Sequence, residues 1–268
     1  MSGKIDAFII GAPRTMTTKI TNSLMWHPEI SCAPEPECKY FDAHYGEESY
    51  LEKRFDFSED QFDLSGRKTT VYSNPAYCSI DFVRDRIFNH NNAAKIIICV
   101  RNPIERCISH FGVVQSLSVG RTKNIWDEFD RNLESFSTNK FKSELDYIPY
   151  LNKYYSCLLP NYFECSLYYR IYRRYACFTD LLILNFDDME NDFQGSFDQV
   201  TDFIEVDRLQ VDPKPVNSLQ QRGSSMVISD HVQEFIYRYP EIVHLFTTEA
   251  LAIGQIFNQR VAEDWDLI

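Results

Sequence analysis

Three short runs without a polar interruption limit what this chain can fold into: DAFIIGA (6–12), AKIIICVR (94–101) and DLLILNF (180–186). A strand with one solvated face alternates apolar and polar residues, whereas a continuous apolar run must be covered on both faces. Parallel sheets between two helical layers provide that cover, and helical patterns do lie between and after the runs. A weaker fourth strand candidate is TTVYSN (69–74). The expected fold is therefore α/β, three-layered, with a central and mainly parallel sheet flanked by helices. No stretch reads as a linker, a repeat or a low-complexity tract, so one domain over 1–268 is expected. The segment 115–178 is rich in Tyr and Phe and holds no strong strand; it is expected as helices and loops over one end of the sheet.

Ligands of open α/β sheets bind beyond the carboxyl ends of the strands, which directs attention to the residues after FIIGA and after IIICV. In the first loop, Gly11 ends the run and APRTMTT leads into KITNSLMWHP. Ile20 and Leu24 share one helical face, Pro28 stops the helix, and Thr15, Thr17 or Thr18 can cap its first turn. Unpaired N–H groups and the positive end of the helix dipole gather there, and Arg14 adds a permanent charge. A triphosphate loop reads GxxxxGK[ST]; counted from Gly11, this chain has Met16 and Thr17 in place of Gly and Lys. A kinase of that type is disfavoured. By itself the stretch is equally a capped turn with a surface arginine.

The second loop repeats the architecture with other residues. Asn102 is a good N-cap, Pro103 suits the first helical position, and Glu105 completes a capping box. Arg101 stands at the strand end, and Ser109 lies two turns into the helix, where a guanidinium and a hydroxyl would suit a second phosphate. One such motif alone is more often a capped helix whose arginine meets a carboxylate.

The whole chain adds bounds. A formal charge of −12 and a pI near 5.0 argue against nucleic acid or another polyanion as partner and favour a neutral or cationic second substrate. The apolar runs are too short to span a membrane. No basic segment followed by an apolar one opens the sequence, so no secretory leader is expected. Eight cysteines show neither a CxxC pair nor metal-like Cys/His spacing, which fits free thiols in a reducing cytoplasm and no bound metal.

The two loops, GAPRTMTT (11–18) and RNPIERCISHF (101–111), resemble in order and separation those of the sulfotransferase family. That family carries a 5′-phosphosulfate loop G-x-x-[KR]-x-G-T-T and a 3′-phosphate motif R-[ND]-P-x-x-R-x-x-S-x-[YF]. The second match is complete, Arg106 and Ser109 included; in the first, Met16 stands where glycine is usual. HPEI (27–30) follows the first helix as in the family. ECKYFD (37–42) resembles the E-x-H-F-F-D segment of glycosaminoglycan-type members, and NPAY (74–77) their [ST]-P-x-Y. SLYYRIYRRYACFTDLLILNFDDM (166–189) resembles the family's helix, strand and E-D-L turn, and QQRGSS (220–225) its late [KR]-G loop.

The resemblance implies a P-loop-like fold and 3′-phosphoadenosine 5′-phosphosulfate (PAPS) as donor, without a metal. It places Arg14, Thr15, Met16, Thr17 and Thr18 at the phosphosulfate, Arg101 and Ser109 at the 3′-phosphate, and Arg222 and Gly223 over the cofactor. Arg14 would neutralise charge on the leaving oxygen by charge and hydrogen bonds, since a guanidinium does not give up its proton. Glu37 is the first choice of base and Glu35 its rival, at the spacing found in tyrosylprotein-type members. Lys39, Tyr77 and Arg170 are candidates to face the acceptor. Pro36 and Ser73 stand where glycosaminoglycan enzymes often have lysine, which favours a small metabolite or sugar, sulfonated at a hydroxyl or amine. The alternatives are a nucleotide-binding protein that has lost catalysis and a nucleotide-dependent kinase of P-loop type.

Overall fold

The computed structural model describes residues 4–32, 39–46, 69–116, 124–136, 162–211, 227–257, 261–265 and 267. Within them lies a parallel sheet of β1 (Ala7–Gly11), β2 (Ile30–Cys32), β3 (Thr69–Ser73), β4 (Lys95–Val100) and β5 (Leu181–Asn185). Its order is β2-β3-β1-β4-β5. The three apolar runs are β1, β4 and β5, and the weaker candidate is β3. The sequence pattern did not reveal β2: three residues carry no readable period, and the strand exists because Ile30, Ser31 and Cys32 pair with Thr69, Thr70 and Val71.

Side-chain alternation within the strands creates the layers. Phe8 and Ile10 of β1, with Ile96, Ile98 and Val100 of β4, enter one apolar cluster. Ala7 and Ile9, with Ile97 and Cys99, enter the other. The second cluster is covered by α1 (Thr17–Met25) and, after β5 and the short α2 (Phe186–Asn191), by α3 (Phe193–Phe203).

The remaining α-helices among the described residues are α4 (Tyr40–Ala43), α5 (Asp81–His90), α6 (Pro103–Ser116), α7 (Ile125–Phe136), α8 (Tyr168–Tyr175), α9 (Ser229–Arg238), α10 (Pro240–Phe257) and α11 (Val261–Asp264). Those of them with buried faces join the first cluster. Each wholly buried Ile or Phe contributes on the order of 1.5–3 kcal/mol, so both faces are strongly specified.

In the aromatic-rich region no strand occurs among the described residues. The described rings of the region are mostly core. Phe129 lies 5.3 Å from Tyr162 and 5.6 Å from Phe235, and Phe163 lies 6.4 Å from Phe246. Of the six described cysteines only Cys177 is exposed. No helix among the described residues is long and apolar enough to cross a membrane.

Candidate functional site

The carboxyl ends of β1 and β4 are neighbours, because the two strands pair directly at the centre of the sheet. Their register shifts between Ile9 and Gly11, and the Ala12 N–H then bonds the Cys99 carbonyl at 2.9 Å. Gly11 is dictated here. Its φ is 142°, and a Cβ would lie 2.5 Å from the Pro75 carbonyl oxygen and 2.8 Å from the Cys78 Cβ.

The chain then turns sharply, with Arg14 at φ 73° and Met16 at φ 64°. Both occupy the left-handed region, which costs a non-glycine residue on the order of 1 kcal/mol. Met16 thus takes up the conformation a glycine would adopt, and its side chain packs against the core cluster on the α1 face.

The expected threonine cap on α1 is not formed. Met16 occupies the N-cap position with no side-chain hydrogen bond, and the Thr15 hydroxyl donates instead to the Ala12 carbonyl at 2.6 Å. The first intrahelical donors are Lys19 and Ile20, both to Met16 O at 2.9 and 3.1 Å. The N–H groups of Thr17 and Thr18 precede that ladder, at the positive end of the helix dipole.

At the end of β4 the expected cap is present. Asn102 Oδ1 accepts from the N–H of Ile104 at 3.0 Å and of Glu105 at 3.3 Å, and Pro103 opens α6. The second half of the capping box is replaced: Glu105 accepts from Arg101 Nη2 at 2.9 Å. The Arg101 guanidinium lies 4.1 Å above the Phe186 ring, with its side chain 11% exposed. Its buried Nε has no hydrogen-bond partner. Asp187 stands nearby; burial raises its carboxyl above the ordinary value, while the Trp265 indole, donating at 3.0 Å, opposes that shift.

The loops meet through a contact the sequence did not suggest. Arg14 Nε donates to Ser109 Oγ at 3.1 Å, across 95 residues. The hydroxyl expected to share an anion with Arg101 thus also reaches the arginine of the other loop. Arg106, wholly buried, braces this junction. Its Nε donates to Ser166 Oγ at 2.6 Å, Nη1 to the Pro13 carbonyl at 3.3 Å, and Nη2 to the Tyr162 carbonyl. One guanidinium thereby ties the first loop to α6 and to the turn before α8.

Glu35, Glu37, Arg222 and Gly223 lie outside the described residues. The segment that follows the glutamates is fixed. Lys39 stands at the N-cap of α4. Within α4, Asp42 is fully buried and its Oδ1 accepts from the Tyr77 hydroxyl at 3.2 Å. Tyr77 and Tyr72 hydroxyls are 3.0 Å apart, and Tyr72 accepts from the Tyr40 N–H at 3.0 Å. Arg86 holds the other side, donating to the carbonyls of Phe41 and Asp42, each at 3.0 Å.

Tyr77, expected to face an acceptor, is wholly enclosed in this network and serves to anchor α4. Arg170 is tied to Glu249 of α10: its N–H donates to Oε2 at 2.9 Å and its Nε lies 3.4 Å from Oε1. Ser73, at the end of β3, is buried and accepts from Thr21 at 2.8 Å, leaving a small polar contact at that strand end.

Two residues near the loops escaped the sequence reading. Lys19, in the first turn of α1, has its pKa lowered by burial, with its Nζ 3.8 Å from the Phe193 ring centroid. Tyr168 bonds the backbone of Arg101. Tyr168 falls within the stretch 166–189 quoted above, but nothing local to either residue names its partner, and only the three-dimensional packing brings them there. Two arginines, a helix N-terminus and a buried serine thus stand at two adjacent strand ends, a set of groups suited to an anion.

Comparison with known proteins points the same way. The profile of the sulfotransferase domain matches residues 4–231. A membrane-associated sulfotransferase, kil1, of Dictyostelium discoideum is 31% identical over 109 residues, covering 39% of this chain and 22% of that protein. Human heparan sulfate glucosamine 3-O-sulfotransferase 5 is 32% identical over 108 residues, covering 39% of this chain and 29% of that one. The matches thus span less than a third of these relatives' length. The crystal structure of a sulfotransferase from Alicyclobacillus acidocaldarius superposes with a TM-score of 0.66 at 17% identity, over 98% of this chain and 99% of the other, a likeness of fold.

Proposed function

The chain belongs to the sulfotransferase family, and on that premise we propose that it transfers a sulfuryl group from PAPS to a hydroxyl or amine of a small metabolite or sugar, without a metal. One observation carries the donor assignment. Arg101, at the exit of β4, keeps a buried Nε without a partner, beside a second loop whose arginine already reaches Ser109. A phosphate is the kind of acceptor that donor lacks.

When bound, PAPS supplies the activated sulfuryl group. Arg101 and Ser109 hold the 3′-phosphate. The N–H groups of residues 15 to 18, through Thr15, Met16, Thr17 and Thr18, receive the phosphosulfate end, and Arg14 stabilises negative charge on the leaving oxygen. Arg222 and Gly223 complete the enclosure of the donor. Glu37 takes the proton of the acceptor, with Glu35 as the alternative, and the Asp42–Tyr77–Tyr72 network fixes α4 directly after that segment. Lys39 orients the acceptor. The net charge of −12 and the buried Ser73 support a neutral or cationic acceptor, in the cytoplasm, over a polyanion.

The test is a transfer assay with 35S-labelled PAPS and excess EDTA, against alcohols, amines, guanidinium compounds and heparan-type oligosaccharides. Label should pass to a small neutral or cationic acceptor. Label confined to the oligosaccharides would correct the acceptor class, and donor bound but never consumed would mark a silent protein. Glu37→Gln should lower kcat by about 10²–10⁴ with Glu35→Gln nearly unaffected. The reverse order would assign the base to Glu35.

A further inference from the structure

Arg101 stands one residue beyond the last ladder pair of β4 and β5, Val100 with Asn185. Past that pair a buried backbone N–H and C=O need another partner. Tyr168 satisfies both. Its hydroxyl accepts from the Arg101 N–H at 3.2 Å and donates to the Arg101 carbonyl at 2.7 Å. A phenol, with one donor and two lone pairs, can do this alone. Burial pushes that phenol well above its ordinary pKa, so it stays protonated and able to donate.

Tyr168 is itself held from three directions. It opens α8, whose N-terminus has no side-chain cap of its own. Glu249 of α10 supplies one by accepting from the Arg170 N–H at 2.9 Å. The Trp265 ring packs 5.7 Å from the Tyr168 ring. Trp265 also donates from its indole to Asp187 and accepts from Asn102 Nδ2 at 3.0 Å, so it fastens both strand ends around Arg101.

We infer that Tyr168 is a positioning residue for anion binding: by clasping the Arg101 backbone it fixes the origin of the guanidinium and so sets affinity for the 3′-phosphate. The inference rests on the proposed PAPS donor. A guanidinium at the end of a long side chain amplifies any rotation of its own backbone, and displacement of about 1 Å at a charged contact costs up to 10²-fold.

The test compares 3′-phosphoadenosine 5′-phosphate (PAP) with 5′-AMP, which lacks the 3′-phosphate, by calorimetry on the wild type and two variants. Tyr168→Phe removes the hydroxyl and keeps the ring. Tyr175→Phe is the control: on the same helix and equally buried, its hydroxyl bonds the Tyr77 carbonyl at 3.0 Å, away from Arg101. Tyr168→Phe removes both bonds to the Arg101 backbone and should weaken PAP about tenfold, leaving 5′-AMP unchanged. Tyr175→Phe should leave both affinities unchanged for a comparable loss in melting temperature. In steady state, the donor KM of Tyr168→Phe should rise while kcat at saturating donor holds. Equal PAP affinity in Tyr168→Phe and wild type, or equal losses in both variants, would overturn the role. A wild type that does not distinguish PAP from 5′-AMP refutes the donor assignment itself, independently of either variant.

Discussion

Arg14→Ala should lower kcat/KM for sulfuryl transfer by about 10²–10³-fold, the usual loss when one preorganised donor at a developing oxyanion is removed. The loss should fall mainly on kcat. Charge on the bridging oxygen grows as the bond to sulfur breaks, so a guanidinium aimed there is worth more in the transition state than in the bound complex. PAP, which retains the phosphate but has no bond to break, should bind the variant within about tenfold of wild type. The fold should persist, because Arg14 is only partly buried and stands in a loop rather than in the core. Arg14→Lys should recover part of the rate, since the charge remains while the forked donor geometry is lost. A variant with alanine at 14 that turns over normally would remove Arg14 from the chemistry.

The largest effect on stability is expected at Arg106. Replacing it with Met keeps most of the side-chain volume and deletes the donors that reach Ser166 Oγ, the Pro13 carbonyl and the Tyr162 carbonyl. Each buried acceptor left open costs about 1–3 kcal/mol. Part of that loss is offset, because a charge no longer has to be buried. The net destabilisation should be roughly 3 kcal/mol, which lowers the melting temperature of a chain this size by about 10 °C. Arg106→Lys should do nearly as badly: one ammonium cannot span three elements held by a planar fork. Calorimetric melting measures this directly, and a shift of less than about 2 °C for Arg106→Met would show that the guanidinium braces nothing.

What the sequence disclosed and what it hid divides on the range of the interaction. β1, β4 and β5 were legible because burial on both faces forces apolar residues at every position, a local signature. β2 was not, being three residues defined by its neighbour. Asn102 was legible as a cap because its partners are two and three residues on. Glu105 was only half legible: a carboxylate at that position can bond either the N-cap backbone or Arg101, and the strand end places the guanidinium in reach. The threonine cap failed because left-handed geometry at Met16 puts that residue, with no polar atom to offer, at the helix entrance.

Longer-range partners were invisible. Nothing local in RNPIERCISHF says that Ser109 will reach Arg14, or that Arg106 will turn inward to the first loop. Tyr77 reads as an acceptor-facing residue until Asp42 and Tyr72 enclose it, and Arg170 reads equally as an acceptor-facing or a helix-pairing cation until Glu249 of α10 decides for pairing. Motif spacing locates the loops well, but which side chain meets which depends on the sheet order that sets β1 beside β4.

The proposed function requires that a single adenosine-based carrier be gripped at opposite ends by the loops that leave β1 and β4. A crystal structure of the protein with PAP tests it most directly. The 3′-phosphate should accept from Arg101 Nε and Ser109, and the 5′-phosphate should rest on the N–H groups at the start of α1 beside Arg14. Both phosphates on one loop, or a nucleotide bound away from these two strand ends, would contradict it.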